Sequence, residues 1–366
     1  MAASAHHNLK GRTVGELEKL FAELGQPRFR AVQAFRRINR HLATDLDEFS
    51  EFSRELRAEL KDLDALPDLA MTHSSLSEDG TEKAIFDAGS YKARAGDEPK
   101  QIEAVWIVAP KRRTICISSQ VGCTLNCTFC ATGTLPFLGN LPTWQILDQV
   151  YAFIRHRGEK PTNIVFMGMG EPFHNYENVI RAARILHHPE GLNLGARHIT
   201  ISTAGVVPSI ERFIQDREPF NLAISLNHPD PKKRADIMDV NRKYPLDLLL
   251  KTARKFTKAL DRRVTFEYIM MPGVNLSPNH SRQLIKIARS VRCKVNLIPM
   301  NTALAGIRRP TADEAEDFYA RLADAGIAVF NRGSPGKDID AACGMLALKS
   351  RGKAGPRPTR EQLSTT

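Results

Sequence analysis

The 366-residue sequence is poor in cysteine, with six, and in aromatic residues, at 7%. Six thiols are too few for the disulfide framework of a small secreted scaffold, so a cluster among them calls for a metal-binding or catalytic explanation. Long apolar runs are also missing: none approaches the roughly 18 residues of a membrane helix, and the first ten residues have no hydrophobic signal core. These absences predict a cytoplasmic protein with no membrane partner. Apolar residues as a class are not scarce, and 42% apolar with 25% charged excludes a disordered chain. At about 150 residues per domain, the length predicts two to three domains, or one large domain with appendages.

The net charge of +11 is unevenly spread: residues 101–366 carry 37 Lys and Arg against 23 Asp and Glu, while the first hundred are slightly acidic. A polyanionic partner such as RNA or DNA is the expectation for the basic part. Acids are absent from residues 28–40, which hold Arg28, Arg30, Arg36, Arg37 and Arg40. On a helix, Arg36, Arg37 and Arg40 would lie near one face, placed to meet phosphates.

Residues 1–75 read as a helical accessory domain, with amphipathic segments at Thr13–Leu24, Ala31–Asn39 and Ser53–Leu63. Residues 76–100 read as a linker or hairpin region, and the Gly, Pro and basic residues of 346–366 as a flexible tail. From residue 101 to 345, short β-branched runs alternate with helical stretches. The runs are Ile102–Val108, Thr114–Ser119, Asn163–Met167, His198–Ser202, Leu222–Leu226, Val264–Ile269, Val295–Pro299 and Ile327–Phe330. From Thr114 onward they make about six βα units, which predicts an α/β fold built as a parallel barrel or open partial barrel. Reactive groups in such folds sit at the C-terminal strand ends.

Directly after the Thr114–Ser119 run comes Gln120-Val-Gly-Cys123-Thr-Leu-Asn-Cys127-Thr-Phe-Cys130. Three thiolates on a tight loop suit zinc with a fourth ligand, or three irons of a [4Fe-4S] cluster whose fourth iron stays open for substrate. The C-x-x-x-C-x-x-C spacing after the first strand of a βα barrel resembles the radical S-adenosylmethionine superfamily. With Ser118-Ser-Gln-Val-Gly-Cys123, Gly168-Met-Gly-Glu-Pro172, Ile201-Ser-Thr-Ala-Gly205, Asn296-Leu-Ile-Pro299 and Asp338-Ile-Asp-Ala-Ala-Cys-Gly344, in order, the chain resembles the RlmN/Cfr family of radical RNA methyltransferases.

The resemblance implies a partial (β/α)6 radical S-adenosylmethionine barrel with a small N-terminal helical domain. It also implies a [4Fe-4S] cluster on Cys123, Cys127 and Cys130, two molecules of S-adenosylmethionine per turnover, and a one-electron reductant such as flavodoxin. The implied substrate is an adenosine carbon, C2 in large-subunit ribosomal RNA and also transfer RNA. That carbon is electron-poor, so it offers a methyl cation donor no nucleophile and radical chemistry is needed. By the same resemblance, Cys343 carries the methyl group, Cys116 forms a transient disulfide with it to release a protein–RNA adduct, and Glu103 is the general base. Read singly, these would be a buried thiol, a strand core residue and an edge-strand acid. Cofactor contacts carry over to Gly170, Glu171, Ser202, Ser225, Leu226, Asn227 and Asn301, and Cys293 receives no role.

Four positions depart from the family pattern. Leu138 and Gly139 stand at usually basic positions, Asn227 replaces the histidine of Ser-Leu-His, and Pro335 replaces a frequent arginine. These departures bear on the RNA target, leaving C8 specificity or a different RNA as the nearest alternatives. The alternative from another class is a zinc-stabilised RNA-binding protein without chemistry of its own.

Overall fold

The computed structural model describes residues 8–89, 100–302 and 304–347. The expected tail falls almost wholly outside them. The first helices are α1 (Val14–Glu23), α2 (Phe29–Asn39) and α3 (Arg54–Asp62). Thr13 caps α1 in a reciprocal box with Glu16, and Ser53 caps α3 through the Leu56 amide. Their apolar stripes close a small core of Leu17, Leu20, Phe21, Phe35, Ile38 and Leu60.

The chain then enters the sheet sooner than its composition indicates. Strands β1 (Ala70–Leu76) and β2 (Glu82–Asp87) form an antiparallel hairpin, and β1 thus begins inside the stretch expected to be helical. This strand lies at the sheet edge with most side chains exposed and its register shifted between Met71 and His73, so it carries no hydrophobic alternation to read. The hairpin pairs through β2 with β3 (Gln101–Ala109), which turns back antiparallel into β4 (Arg112–Cys116).

From β4 onward every pairing in the main sheet is parallel. A short ribbon of β5 (Gln120–Val121) and β6 (Gly139–Asn140) stands apart. Next come α4 (Thr143–Arg157), β7 (Asn163–Phe166), α5 (Tyr176–His187), β8 (Ile199–Thr203), α6 (Val207–Gln215) and β9 (Asn221–Ser225). Two short helices missed by the periodicity, α7 (Pro231–Ile237) and α8 (Val240–Lys243), precede α9 (Leu246–Leu260). The chain closes with β10 (Val264–Met270), α10 (Pro278–Ser290), β11 (Cys293–Pro299), α11 (Ala312–Asp324) and β12 (Val329–Asn331). The order β1-β2-β3-β4-β7-β8-β9-β10-β11-β12 makes six βα units on an open sheet, with a seventh parallel strand at one edge and the antiparallel arm at the other. Among the described residues no helix is long and apolar enough to cross a membrane.

The helical domain is docked on α4 by buried polar contacts. Lys10 Nζ lies 2.8 Å from Asp148 Oδ2 and 3.2 Å from Asp68, and the side chains of the Lys10–Asp148 pair are 2% and 0% exposed. The Leu69 amide also donates to Asp148, and the Tyr151 hydroxyl donates to Asn39 Oδ1 at 2.7 Å. Gly11, at φ +77°, abuts α4 so closely that a Cβ would come within 2.8 Å of the Trp144 nitrogen. Two of the three arginines expected to face phosphates are paired with acids. The Arg36 guanidinium is paired with Glu190, beyond the end of α5, and that of Arg37 with Glu51.

Burial pushes the Asp148 carboxyl upward and the Lys10 ammonium pulls it back, so the pair holds a charge that water does not reach. Replacing Lys10 by Ala strands that carboxylate. The expected cost is about 3–5 kcal/mol, visible as a lower urea midpoint and faster proteolysis within residues 8–69. Unchanged values would show that the pair contributes nothing to docking.

Candidate active site

Two strand-end loops, packed backbone to backbone, form the floor of the site. Beyond β4, the Ser118 hydroxyl donates to the Glu103 carbonyl at 2.6 Å and accepts from the Met169 amide at 2.8 Å. The amide side chain of Gln149 on α4 satisfies both backbone groups of Ser118. Gln120 Oε1 accepts from the Glu171 amide at 2.9 Å, so the Ser-Ser-Gln stretch bolts the first loop to Gly168-Met-Gly-Glu. Gly170 has φ +100°, and a Cβ there would fall 2.6 Å from Cβ of Gln120. Gly122, at φ +75°, leaves even less room, since its Cβ would lie 1.9 Å from the Pro136 carbonyl oxygen.

That turn delivers Cys123, Cys127 and Cys130 to one open cleft. The Cys130 amide donates to the Cys127 carbonyl, and the Thr128 amide to the Ile237 carbonyl at the end of α7. The Cys127 thiol is driven well above its ordinary range by burial, by Cys130 and Cys123, and by Glu171. Burial likewise raises Cys130, although hydrogen bonds from residues 132 and 133 oppose it. A thiol whose ionisation two neighbouring thiols oppose suits a polynuclear cation, which relieves that repulsion.

Across the cleft, Glu171 is buried and held by two backbone donors, the Phe173 amide on Oε1 at 3.0 Å and the Ala204 amide on Oε2 at 2.8 Å. Burial nevertheless raises its carboxyl to about 7, so an arriving ammonium would find a carboxylate that needs a counter-charge. Gly170, Ser202, Ser225 and Asn227 line the same wall. Asn227 adopts φ +56°, a left-handed turn that asparagine tolerates, and its Oδ1 accepts from the Ile269 amide. The Leu226 side chain is instead buried in the core, leaving only its backbone near the strand ends.

A second cavity adjoins the first. Cys116, Arg332, Pro335 and Cys343 are among its lining, and Cys343 and Gly344 line both cavities. Burial pushes the Cys116 thiol to about 12, with a further contribution from Cys343. Cys343 is exposed at the mouth, yet the protein around it raises its thiol to about 11, with Arg332 opposing and Glu267 adding to the rise. None of the six cysteines is joined in a disulfide, so the structure does not contain the expected Cys116–Cys343 bond.

The Cys343 loop is held from three sides. Asp338 accepts from the Ser77 hydroxyl at 2.5 Å and the Glu78 amide at 3.3 Å, both in the β1–β2 turn. Asp79 of the same turn accepts from the Gly336 amide. The Ala131 amide donates to the Gly344 carbonyl at 2.8 Å, joining this loop to the cysteine loop, and Asn301 Nδ2 reaches the Cys343 carbonyl at 3.2 Å. Asn301 thus touches the loop rather than lining either cavity.

Glu103 is fully buried and its Oε1 lies 3.1 Å from Lys83 Nζ. In the sheet register Val105 opposes Cys116, which puts Glu103 on the sheet face that carries Cys116, though not among the lining of either cavity. Two polar residues escaped the sequence reading. Arg234, buried on α7, donates to the carbonyls of Ala204, Ser225 and Leu226 and to Asn241, pinning the ends of β8 and β9. Nothing in Lys232-Lys-Arg234 tells which of the three cations faces inward. Glu267 lines the main cleft, and its available signal was a single charge in the apolar run Val264–Met270.

Comparisons with known proteins bear on the whole chain. Residues 117–285 match the radical SAM superfamily, and residues 7–65 match the ribosomal RNA large subunit methyltransferase N-terminal domain. A probable dual-specificity RNA methyltransferase RlmN of Leptospira biflexa is 52% identical over 346 residues, covering 93% of this chain and 96% of its own. The dual-specificity RNA methyltransferase RlmN of Geobacter sulfurreducens is 39% identical, with 93% and 92% covered. The crystal structure of a radical SAM methyltransferase from Sphaerobacter thermophilus superposes with a TM-score of 0.86 at 40% identity, covering 93% of this chain and 98% of its own. With both domains matched in order and half-identical relatives spanning nearly its whole length, the chain belongs to the RlmN family of radical S-adenosylmethionine RNA methyltransferases.

Proposed function

We propose that this chain methylates an adenosine carbon, C2, in large-subunit ribosomal RNA and in transfer RNA, with Cys343 as the methyl carrier. The observation that carries the reading is the position of Cys343, on the wall shared by the cavity of the three cysteines and the cavity of Cys116. A [4Fe-4S] cluster with S-adenosylmethionine supplies, when bound, the one-electron cleavage of the sulfonium that starts the radical chemistry. Cys123, Cys127 and Cys130 are the residues we assign to hold that cluster. Glu171 is assigned to receive the methionyl ammonium, with Gly170, Ser202, Ser225, the Leu226 backbone and Asn227 along the rest of the cofactor and Asn301 positioning the Cys343 loop.

Cys343 faces the first cavity to accept the methyl group and to join the RNA base, and Cys116 approaches it from the second to release the product. Both thiols have raised pKa values, so each must lose its proton as it reacts, and the nearby Arg332 guanidinium favours the thiolates. Glu103 is assigned as the base. Its carboxylate rests on Lys83, so taking a proton from the substrate requires a relay or a shift of that lysine. The reductant assigned is a one-electron donor such as flavodoxin, and the compartment assigned is the cytoplasm. Mass analysis of nucleosides from cells with and without the gene tests the product, which should be 2-methyladenosine. A C8-methylated adenosine would overturn the position.

Three further outcomes follow from the site. Cys127→Ala should lose its iron and all 5′-deoxyadenosine formation, measured on anaerobically prepared protein; retained cleavage would refute the ligand assignment. Cys116→Ala should accumulate RNA bound covalently through Cys343, detected by denaturing gels and peptide mass analysis, whereas Cys343→Ala should give neither adduct nor product. Free methylated RNA at the normal rate from either variant sinks the role given to that thiol. Asp338→Ala, which removes two of the three hydrogen bonds tying the Cys343 loop to the hairpin, should slow methyl transfer roughly ten- to hundredfold with iron content unchanged. An unaltered rate would mean the anchor does not position Cys343.

A further inference from the structure

Glu267 stands at the middle of β10, between Ser225 on β9 and Asn296 on β11 in the sheet register. It is 4% exposed and lines the main cleft. One carboxylate oxygen, Oε1, accepts from Asn296 Nδ2 at 2.9 Å and lies 3.9 Å from Arg332 Nη1. The other, Oε2, is buried without a hydrogen-bond partner. A buried acceptor left in that state is costly unless a ligand completes it. Burial raises this carboxyl, while Arg332, Asn296 and Lys294 hold it down, so three neighbours favour the acceptor form.

Its place in the cleft narrows what can supply the missing donor. Glu171, the group assigned to an ammonium, stands beyond β7, while Glu267 lies three strands further along the sheet. A ligand long enough to run from Glu171 past Ser202 and Ser225, which line the same cleft, would meet Glu267. Cys343 also lies close enough for the Glu267 charge to raise its thiol. Both the adenosyl part of the cofactor and an adenosine presented to Cys343 therefore bring hydroxyl and amine donors to this wall.

Building on the methyltransferase reading, we propose that Glu267 is a further ligand-binding residue, whose free oxygen accepts a hydrogen bond from an adenosine hydroxyl or amine in the cleft. The two sources of that adenosine are S-adenosylmethionine and the target nucleotide. The test is Glu267→Gln in the full-length, cluster-loaded protein. Asn296 needs an acceptor, so the glutamine oxygen takes the inner position and its amine faces the cleft, replacing an acceptor by a donor at almost constant shape.

Two readouts separate the sources. Equilibrium dialysis gives the affinity for S-adenosylmethionine without reductant or RNA, and single-turnover transfer at saturating cofactor gives the dependence on RNA concentration. The expected result is a roughly ten- to hundredfold weakening in at least one of them. A loss in dialysis assigns the cofactor's adenosine, and a loss confined to the RNA dependence assigns the target. Both unchanged within about twofold, with iron and sulfide at wild-type levels, would overturn the proposal.

Should the variant fail to load its cluster, the wild-type protein answers the question. It is tested with cofactor analogues lacking the 2′-hydroxyl, 3′-hydroxyl or 6-amino group, and with RNA bearing purine at the target. Full affinity for all of them overturns the proposal, and a tenfold loss for any one supports it. A wild-type protein that neither binds S-adenosylmethionine nor methylates RNA fails the parent reading instead.

Discussion

The site depends on the contact between residues 118–122 and residues 168–171, where two loops meet so closely that Gly168 and Gly170 have no room for a Cβ. Gly170 passes Gln120 at a distance that excludes a Cβ, and Gly122 turns beneath the Pro136 carbonyl. Ser118 and Gln120 then satisfy the backbone groups that this approach would otherwise leave buried and unpaired. The result fixes the cysteine loop and Glu171 relative to each other. Both come from different strand ends, so neither could be placed by its own strand alone.

The electrostatics of the cleft are arranged around acidic groups whose ionisation burial opposes. Cys127 and Cys130 have thiols raised by burial, Glu171 is raised to about 7, and Glu267 keeps an oxygen without a partner. The buried cation nearby, Arg234, is committed to four backbone and side-chain oxygens and has its own pKa lowered to about 10 by burial. It braces the strand ends and cannot swing to the thiols. A cleft of this kind is costly when empty and is stabilised by cationic or hydrogen-donating ligands.

The antiparallel arm gives the open barrel a reach that βα units do not provide. Its β1–β2 turn holds Asp338 through Ser77 and Glu78 and holds Gly336 through Asp79, so the segment carrying Cys343 is suspended across the mouth. From the inner side, Ala131 and Asn301 hold the same segment by its carbonyls.

The sequence by itself determined the strands from Ile102 to Phe330, the six βα units, the cysteine triplet and the Gly-Met-Gly-Glu turn. Each of these depends on local periodicity, spacing or backbone freedom, which a linear reading can detect. Only the tertiary structure decided that Cys116 and Cys343, from opposite ends of the core, line one cavity. It also decided that Arg234 and Glu267 turn inward, that Arg36 and Arg37 are taken up by acids, and that the exposed edge strand beginning at Ala70 belongs to the sheet. Those outcomes depend on which surfaces meet when distant segments pack, and composition is silent about partners that are far apart in the chain.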